Sequence, residues 1–106
     1  MTRPTDDPIL RRFKAALDAI YGDQIERVVL FGSRARGDAR DDSDYDIAVF
    51  LRSPPDSRTE RKRLANLRVD FLDDTGAFFE TKAFPMSAWR ERTPLMYEIR
   101  RDGVAI

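Results

Sequence analysis

The sequence predicts a small α/β fold, a mixed sheet with helices packed on one face. Three observations lead there. Val28-Val29-Leu30-Phe31 is an uninterrupted apolar run, a second extended run covers Asp44 to Phe50 beyond a polar loop, and segments of helical periodicity flank the pair. Four apolar residues in succession suit a strand covered on both faces, and the flanking helices supply cover.

Asp7 followed by Pro8 has the form of an N-cap and first helical residue, and Ile9, Leu10, Phe13, Leu17, Ile20 and Tyr21 recur at helical spacing before Gly22 stops the run. Residues 1–6 are expected to be a loose polar arm. Gln24 to Phe31 is the first strand. Past Gly32, Ser33 is expected to cap a short turn made by Arg34, Ala35 and Arg36. The second strand faces the helices with Ile47, Val49 and Leu51, and Ser53-Pro54-Pro55 ends it. Ser57-x-x-Glu60 then has the form of a capping box opening a helix to about Asp74, with Leu64, Leu67, Phe71 and Leu72 on one face and Gly76 as its stop. Ala77 to Phe84 is a third strand closed by Pro85. Ser87 is expected to cap a short turn whose Trp89 covers the core edge. Thr93-Pro94 repeats the cap-then-proline start for a last helix through Leu95, Met96 and Ile99, whose apolar residues suit partner contact, and Val104 to Ile106 is left as a tail.

Composition narrows the chemistry. A chain of 106 residues is expected to form one domain, residues 1–106, with one modest core. Basic and acidic residues number 19 each, so the molecule as a whole has no electrostatic pull toward nucleic acid or membrane, and direct nucleic-acid binding is not expected. Arg58, Arg61, Lys62 and Arg63 are taken as a solvated helix face. The absence of cysteine and histidine excludes disulfides, thiolate or imidazole metal ligands and imidazole catalysis. Carboxylates remain as candidate metal ligands. No segment has the length or character of a secretory signal or membrane span, so the expected compartment is the cytoplasm.

Successive strand residues point to opposite faces, so Asp44 and Asp46 project from the same face. Two ionised carboxylates so placed repel by a few kcal/mol at an effective dielectric near ~20. A hard divalent cation relieves that repulsion, and Mg²⁺ suits one or two carboxylates completed by phosphate oxygens and water. Gly32-Ser33 supplies the complementary half, a sharp backbone turn leading into free helical N–H groups that welcome phosphate.

The pattern Gly32-Ser33, ten residues, Asp44-x-Asp46, with Arg34-Ala35-Arg36-Gly37 after the serine and Ser43 before the first aspartate, resembles the nucleotidyltransferase superfamily of the DNA polymerase β type. More narrowly it is similar to the minimal nucleotidyltransferases (MNT), small prokaryotic domains paired with a HEPN-domain protein in toxin–antitoxin systems. The resemblance implies the polymerase β-type nucleotidyltransferase fold. It implies two Mg²⁺ ions held by Asp44 and Asp46, phosphate contacts from Gly32 and Ser33, and charge neutralisation by Arg34 or Arg36. A third carboxylate on the next strand orients the acceptor in this family. Here that strand offers Glu80, for which a surface ion pair with Lys82 is the competing role. The implied reaction moves a nucleotide monophosphate, AMP from ATP, onto a hydroxyl of a HEPN-type partner, the chain acting as antitoxin. A catalytically weak or inactive antitoxin that neutralises its partner by binding is the alternative. A homo-oligomer is compatible with the sequence.

Overall fold

The computed structural model describes residues 4–53 and 56–106. The break expected at Pro54-Pro55 lies outside the described residues, as do residues 1–3 of the N-terminal arm. Pro4–Asp6 is a 3-10 turn rather than loose chain, held where the Thr5 carbonyl accepts from Arg11 Nε at 3.0 Å.

Asp7 caps the first helix, α1 (Pro8–Tyr21), its carboxylate accepting from the N–H groups of Ile9 and Leu10. The first strand, β1 (Ile25–Phe31), runs into a four-residue helix, α2 (Ser33–Arg36), and the chain returns as β2 (Tyr45–Leu51). The next helix, α3 (Ser57–Thr75), is capped by Asp56, which accepts from Arg58 N–H, and not by Ser57. Asp56 also takes the Thr59 hydroxyl at 2.9 Å, so the cap stands one residue upstream of the expected one. Gly76 closes α3 at φ 75°, a left-handed conformation that a residue with a Cβ adopts only at a cost. The strand β3 (Phe79–Pro85), a 3-10 turn over Met86–Arg90, the helix α4 (Pro94–Asp102) and a two-residue strand β4 (Val104–Ala105) complete the chain. Pro85 caps the 3-10 turn and Ser87 lies inside it, because the proline's extended backbone already turns the chain.

The sheet is mixed, in the order β3-β2-β1-β4. β1 and β2 are antiparallel. β2 and β3 are parallel, with α3 as the crossover that parallel pairing requires. The segment expected to be a tail is β4. Val29 pairs with Ala105 and Leu30 with Val104, and Ile106 donates to the Val28 carbonyl at 3.0 Å, so the otherwise open edge of β1 finds partners.

The principal core lies on the face covered by α1 and α3, as the helical and strand periodicities require. Leu10, Phe13 and Leu17 meet Leu64, Leu67 and Phe71 over Ile47, Val49 and Leu51. Phe13 stacks on Phe79 at 3.9 Å and meets Phe71 edge-on at 5.1 Å. Leu72, expected on the buried face, is 36% exposed, one residue beyond the stripe that Phe71 ends. A second, smaller core occupies the other face, where α4 places Met96 and Ile99 against Val29, Ala48 and Phe50. Apolar residues left exposed on α4 were expected to favour partner contact. Met96 and Ile99 are buried, and Tyr97 is the large exposed hydrophobic residue that this helix offers. Trp89 packs on the same core, edge-on to Phe50 at 5.4 Å.

Candidate active site

The alternation that gives β2 its core residues gives it a second face, Asp46, Ala48 and Phe50. Going toward the start of the strand, that face passes from apolar to acidic. The antiparallel register sets Asp46 opposite Phe31, the last residue of β1, and the parallel register sets it beside Glu80. Asp44 precedes the strand by one residue and is exposed. Asp46 and Glu80 therefore share one face at one end of the sheet, and Asp44 lies near enough for its charge to act on Asp46.

Gly32 turns the chain against this cluster. Its φ is 74°, and a Cβ placed there meets Asp46 Oδ2 at 2.2 Å, so both the conformation and the space require glycine. This is also why Ser33 does not cap α2. The residue that makes the turn occupies the N-cap, Ser33 becomes the first helical residue, and no side-chain cap bond forms. The Gly32 carbonyl accepts from Ala35 and Arg36 N–H, each at 3.1 Å, while the N–H groups of the first helical residues point out of the N-terminus with no intrahelical acceptor.

The two arginines of α2 have different positions. Arg34 lies 4.0 Å over the Tyr45 ring, with Nε donating to the Ser43 carbonyl at 2.9 Å and Nη2 to the Asp41 carbonyl at 3.1 Å. Ser43 Oγ in turn accepts from Arg40 N–H at 2.8 Å. Arg34 thus fastens the loop that delivers Asp44, and its donors are directed at backbone. Arg36 faces α4, with Nη1 3.8 Å from both Glu98 and Asp102, and Nε 3.3 Å from Asp38. Glu80 pairs with Arg68 of α3 at 3.6 Å, not with Lys82, and keeps 58% of its side chain exposed. Lys82 lies two residues further along an edge strand, whereas Arg68 reaches round that edge.

Asp46 is pushed up from the ordinary carboxylate range. Burial is the largest cause, followed by the negative charges of Asp44, Glu80 and Glu98, with Arg36 opposing them. Glu98 is a contribution that sequence reasoning missed. Glu98 and Asp102 stand four residues apart on α4, which puts them on one helix face, but only the tertiary packing shows that this face looks toward Arg36 and Asp46. Among the described residues no three carboxylates stand close enough to cage an ion by themselves. What the site offers a hard cation is a pair of carboxylates, with the remaining ligands to come from elsewhere. The oxygen-only donors, the surplus of negative charge around Asp46 and the space kept by Gly32 fit a divalent ion accompanied by phosphate.

The comparisons with known proteins agree with this geometry. "Putative protein adenylyltransferase MJ0141" of Methanocaldococcus jannaschii is 37% identical over 54 residues, 51% of this chain and 54% of that protein. The chain thus spans about half the length of this curated relative. Among solved structures, a "putative minimal nucleotidyltransferase" superposes with a TM-score of 0.59 and 27% identity, covering 99% of this chain and 97% of the other. The MNT antitoxin complex with the tri-AMPylated HEPN toxin of Shewanella oneidensis contains a match with a TM-score of 0.56, at 14% identity, over 92% of this chain and 70% of the matched one, a likeness of fold. The model of the polymerase beta nucleotidyltransferase family matches residues 19–106, which takes in the glycine turn, the aspartate pair and Glu80, and the chain belongs to that family.

Proposed function

We propose that this chain is a Mg²⁺-dependent nucleotidyltransferase that moves AMP from ATP onto a hydroxyl of a protein partner, and that it acts in the cytoplasm as the antitoxin to a HEPN-type toxin. The observation that carries the proposal is the close approach of Gly32 to Asp46, which sets the turn that we assign to phosphate against the carboxylate that we assign to metal. The adenylyltransferase name of the archaeal relative and the AMPylated toxin in the matched complex support the choice of AMP and of a HEPN acceptor.

Asp44 and Asp46 hold the metal, which when bound neutralises the triphosphate and the developing charge on the leaving group. Gly32 and Ser33 present backbone N–H groups to the terminal phosphates at the start of α2. Arg36, on the exposed side of that turn, adds positive charge once it exchanges its α4 carboxylates for phosphate, and Arg34 acts at one remove by fixing the loop before Asp44. Glu80 lies beside Asp46 on the neighbouring strand, where it takes the proton of the acceptor hydroxyl. The acceptor oxygen bonds to the α-phosphorus, the bond from that phosphorus to the bridging oxygen breaks, and pyrophosphate leaves. Positioning and charge neutralisation carry most of the rate enhancement in such transfers.

The test is incubation of the chain with labelled ATP, Mg²⁺ and the protein encoded beside it. The expected result is a mass gain on that protein of one AMP or a short run of them, dependent on Mg²⁺ and on Asp44. Tight binding of the neighbour with no mass gain would instead establish the antitoxin that neutralises by contact alone.

A further inference from the structure

On the sheet face that carries Asp46, but at the opposite end of the strands, lies a cleft of about 790 Å³ that includes Trp89, Tyr97 and four arginines. Arg27 stacks over Trp89 at 4.0 Å, and Arg100 lies 5.1 Å from the centre of the Tyr97 ring. Both are committed, Arg27 to Glu26 at 2.7 Å and Arg100 to the backbone carbonyls of Trp89 and Glu91. Arg90 and Arg92 are exposed and, among the described residues, make no ion pair. In a chain with no net charge, this is a concentrated positive surface with aromatic walls.

The cleft is also close to the site. Arg27 lies four residues before Phe31 on β1, about 13 Å at the rise of a strand. α4 borders both, presenting Glu98 and Asp102 toward Arg36 and Tyr97 and Arg100 to the cleft.

We infer that this cleft docks an acidic segment of the acceptor protein, seating it so that a hydroxyl further along the acceptor reaches the Asp46 end of the sheet. The inference rests on the reading above that the acceptor is a protein. Charge complementarity chooses the occupant, since Arg90 and Arg92 make no ion pair among the described residues and a carboxylate-bearing segment supplies counter-ions. A single-stranded nucleic acid is disfavoured by the aromatic surfaces. Arg27 already covers one face of Trp89 and Arg100 one face of Tyr97, which reduces the ring surface on which successive bases could stack.

Trp89 is the chain's single tryptophan, so its emission reports the cleft directly. The experiment titrates the full chain with a short synthetic Asp/Glu-rich peptide, a Lys-rich peptide of equal length and a single-stranded oligoadenylate, following Trp89. The acidic peptide should shift the emission saturably and more weakly as salt rises, and Arg90→Glu with Arg92→Glu should lower its affinity by about tenfold or more. The Lys-rich peptide should have no effect. A thermal melt checks that the reversed pair folds, and the milder pair Arg90→Ala with Arg92→Ala should give a smaller loss in the same direction. Absence of binding by the acidic peptide, an affinity that the reversal leaves unchanged, or tighter binding of the oligoadenylate overturns the inference. Asp44→Asn separates this from the catalytic reading, because it should abolish Mg²⁺–ATP binding and leave peptide binding untouched.

Discussion

The two faces of the sheet are built from the same strands by the same alternation, and they are used for different ends. On the α1/α3 face, Tyr45, Ile47, Val49 and Leu51 are all buried, and the rings of Phe13, Phe71 and Phe79 interlock above them. On the α4 face, Phe50 and Ala48 are buried while Asp46 gathers negative charge that burial makes costly. One face accumulates favourable contacts. The other keeps at its Asp46 end an unfavourable concentration of charge that Arg36 offsets in part and a bound cation would offset further, so stability and binding should respond to different mutations even at adjacent residues of β2.

The largest effect expected is on stability, at Phe13. It is fully buried and packed against two rings, so Phe13→Ala should cost about 3–5 kcal/mol through lost transfer energy, a cavity and lost ring contacts. Urea denaturation checks the size, and the molecules that remain folded should bind Mg²⁺–ATP as the parent does. A loss below about 1 kcal/mol would mean that the α1/α3 face is not where the fold is held.

Across the strand the expectation reverses. Asp46→Asn should abolish metal-dependent nucleotide binding while leaving the metal-free protein as stable as the parent or slightly more so, because it removes a half-buried charge flanked by Asp44, Glu80 and Glu98. Calorimetric titration and a melt in chelator measure both halves. A large thermal loss without metal would make Asp46 part of the scaffold. Gly32→Val should likewise remove nucleotide binding, since its Cβ falls on Asp46 Oδ2 and its φ is left-handed, whereas Ser33→Ala, at a residue that makes no cap bond, should weaken it only severalfold. Equal nucleotide affinity in Gly32→Val and the parent would remove the phosphate turn from the site.

Sequence patterns carried what depends on local chemistry. The capping of α1 by Asp7 and of α4 by Thr93 and the stop at Gly76 follow from residue type and period alone. The errors have a common cause. Ser33, Ser57 and Ser87 are each good caps in isolation, but Gly32, Asp56 and Pro85 stand at the positions where the chain turns. β4 was illegible because two residues carry no period, and their pairing is decided by the open edge of β1. For the same reason Arg68, and not the sequence neighbour Lys82, is the partner of Glu80, and the approach of Glu98 to Arg36 emerges only when α4 docks.

Glu80 sharpens the comparison at the boundary between the two uses of the sheet. Glu80→Gln should leave Mg²⁺–ATP affinity nearly unchanged and slow AMP transfer by about a hundredfold, the weight of a general base. The pair with Arg68 is largely exposed and contributes roughly 0–1 kcal/mol, so stability should not change measurably. Transfer at the parent rate would take Glu80 out of the mechanism without taking the activity from the chain.

The smallest effect tests the join between the faces, at Tyr45. Its ring lies between Phe79 at 4.5 Å and Arg34 at 4.0 Å, and its hydroxyl donates to Asp7, the residue that caps α1. One buried hydrogen bond therefore ties the first residue of the site strand to the start of the core helix. Tyr45→Phe keeps the ring and loses that bond, which should cost about 1 kcal/mol at neutral pH. The pH dependence identifies the cause. Burial first, and then the Asp7 carboxylate, push the Tyr45 phenol up from 10.0 to about 12, so the folded state favours the neutral form. A group whose pKa is raised on folding gives stability that is full below its unfolded value and lost as pH climbs through its folded one. Parent and variant should therefore differ by a constant amount up to about pH 10, and the difference should shrink between pH 10 and 12 as the unfolded phenol ionises first. Tyr21, whose phenol is also raised by burial, is present in both chains and cancels in the difference. A gap that stays constant through pH 12 would mean that neither burial nor Asp7 disfavours the ionised phenol in the folded state, and that this hydroxyl does not join the site strand to the core helix.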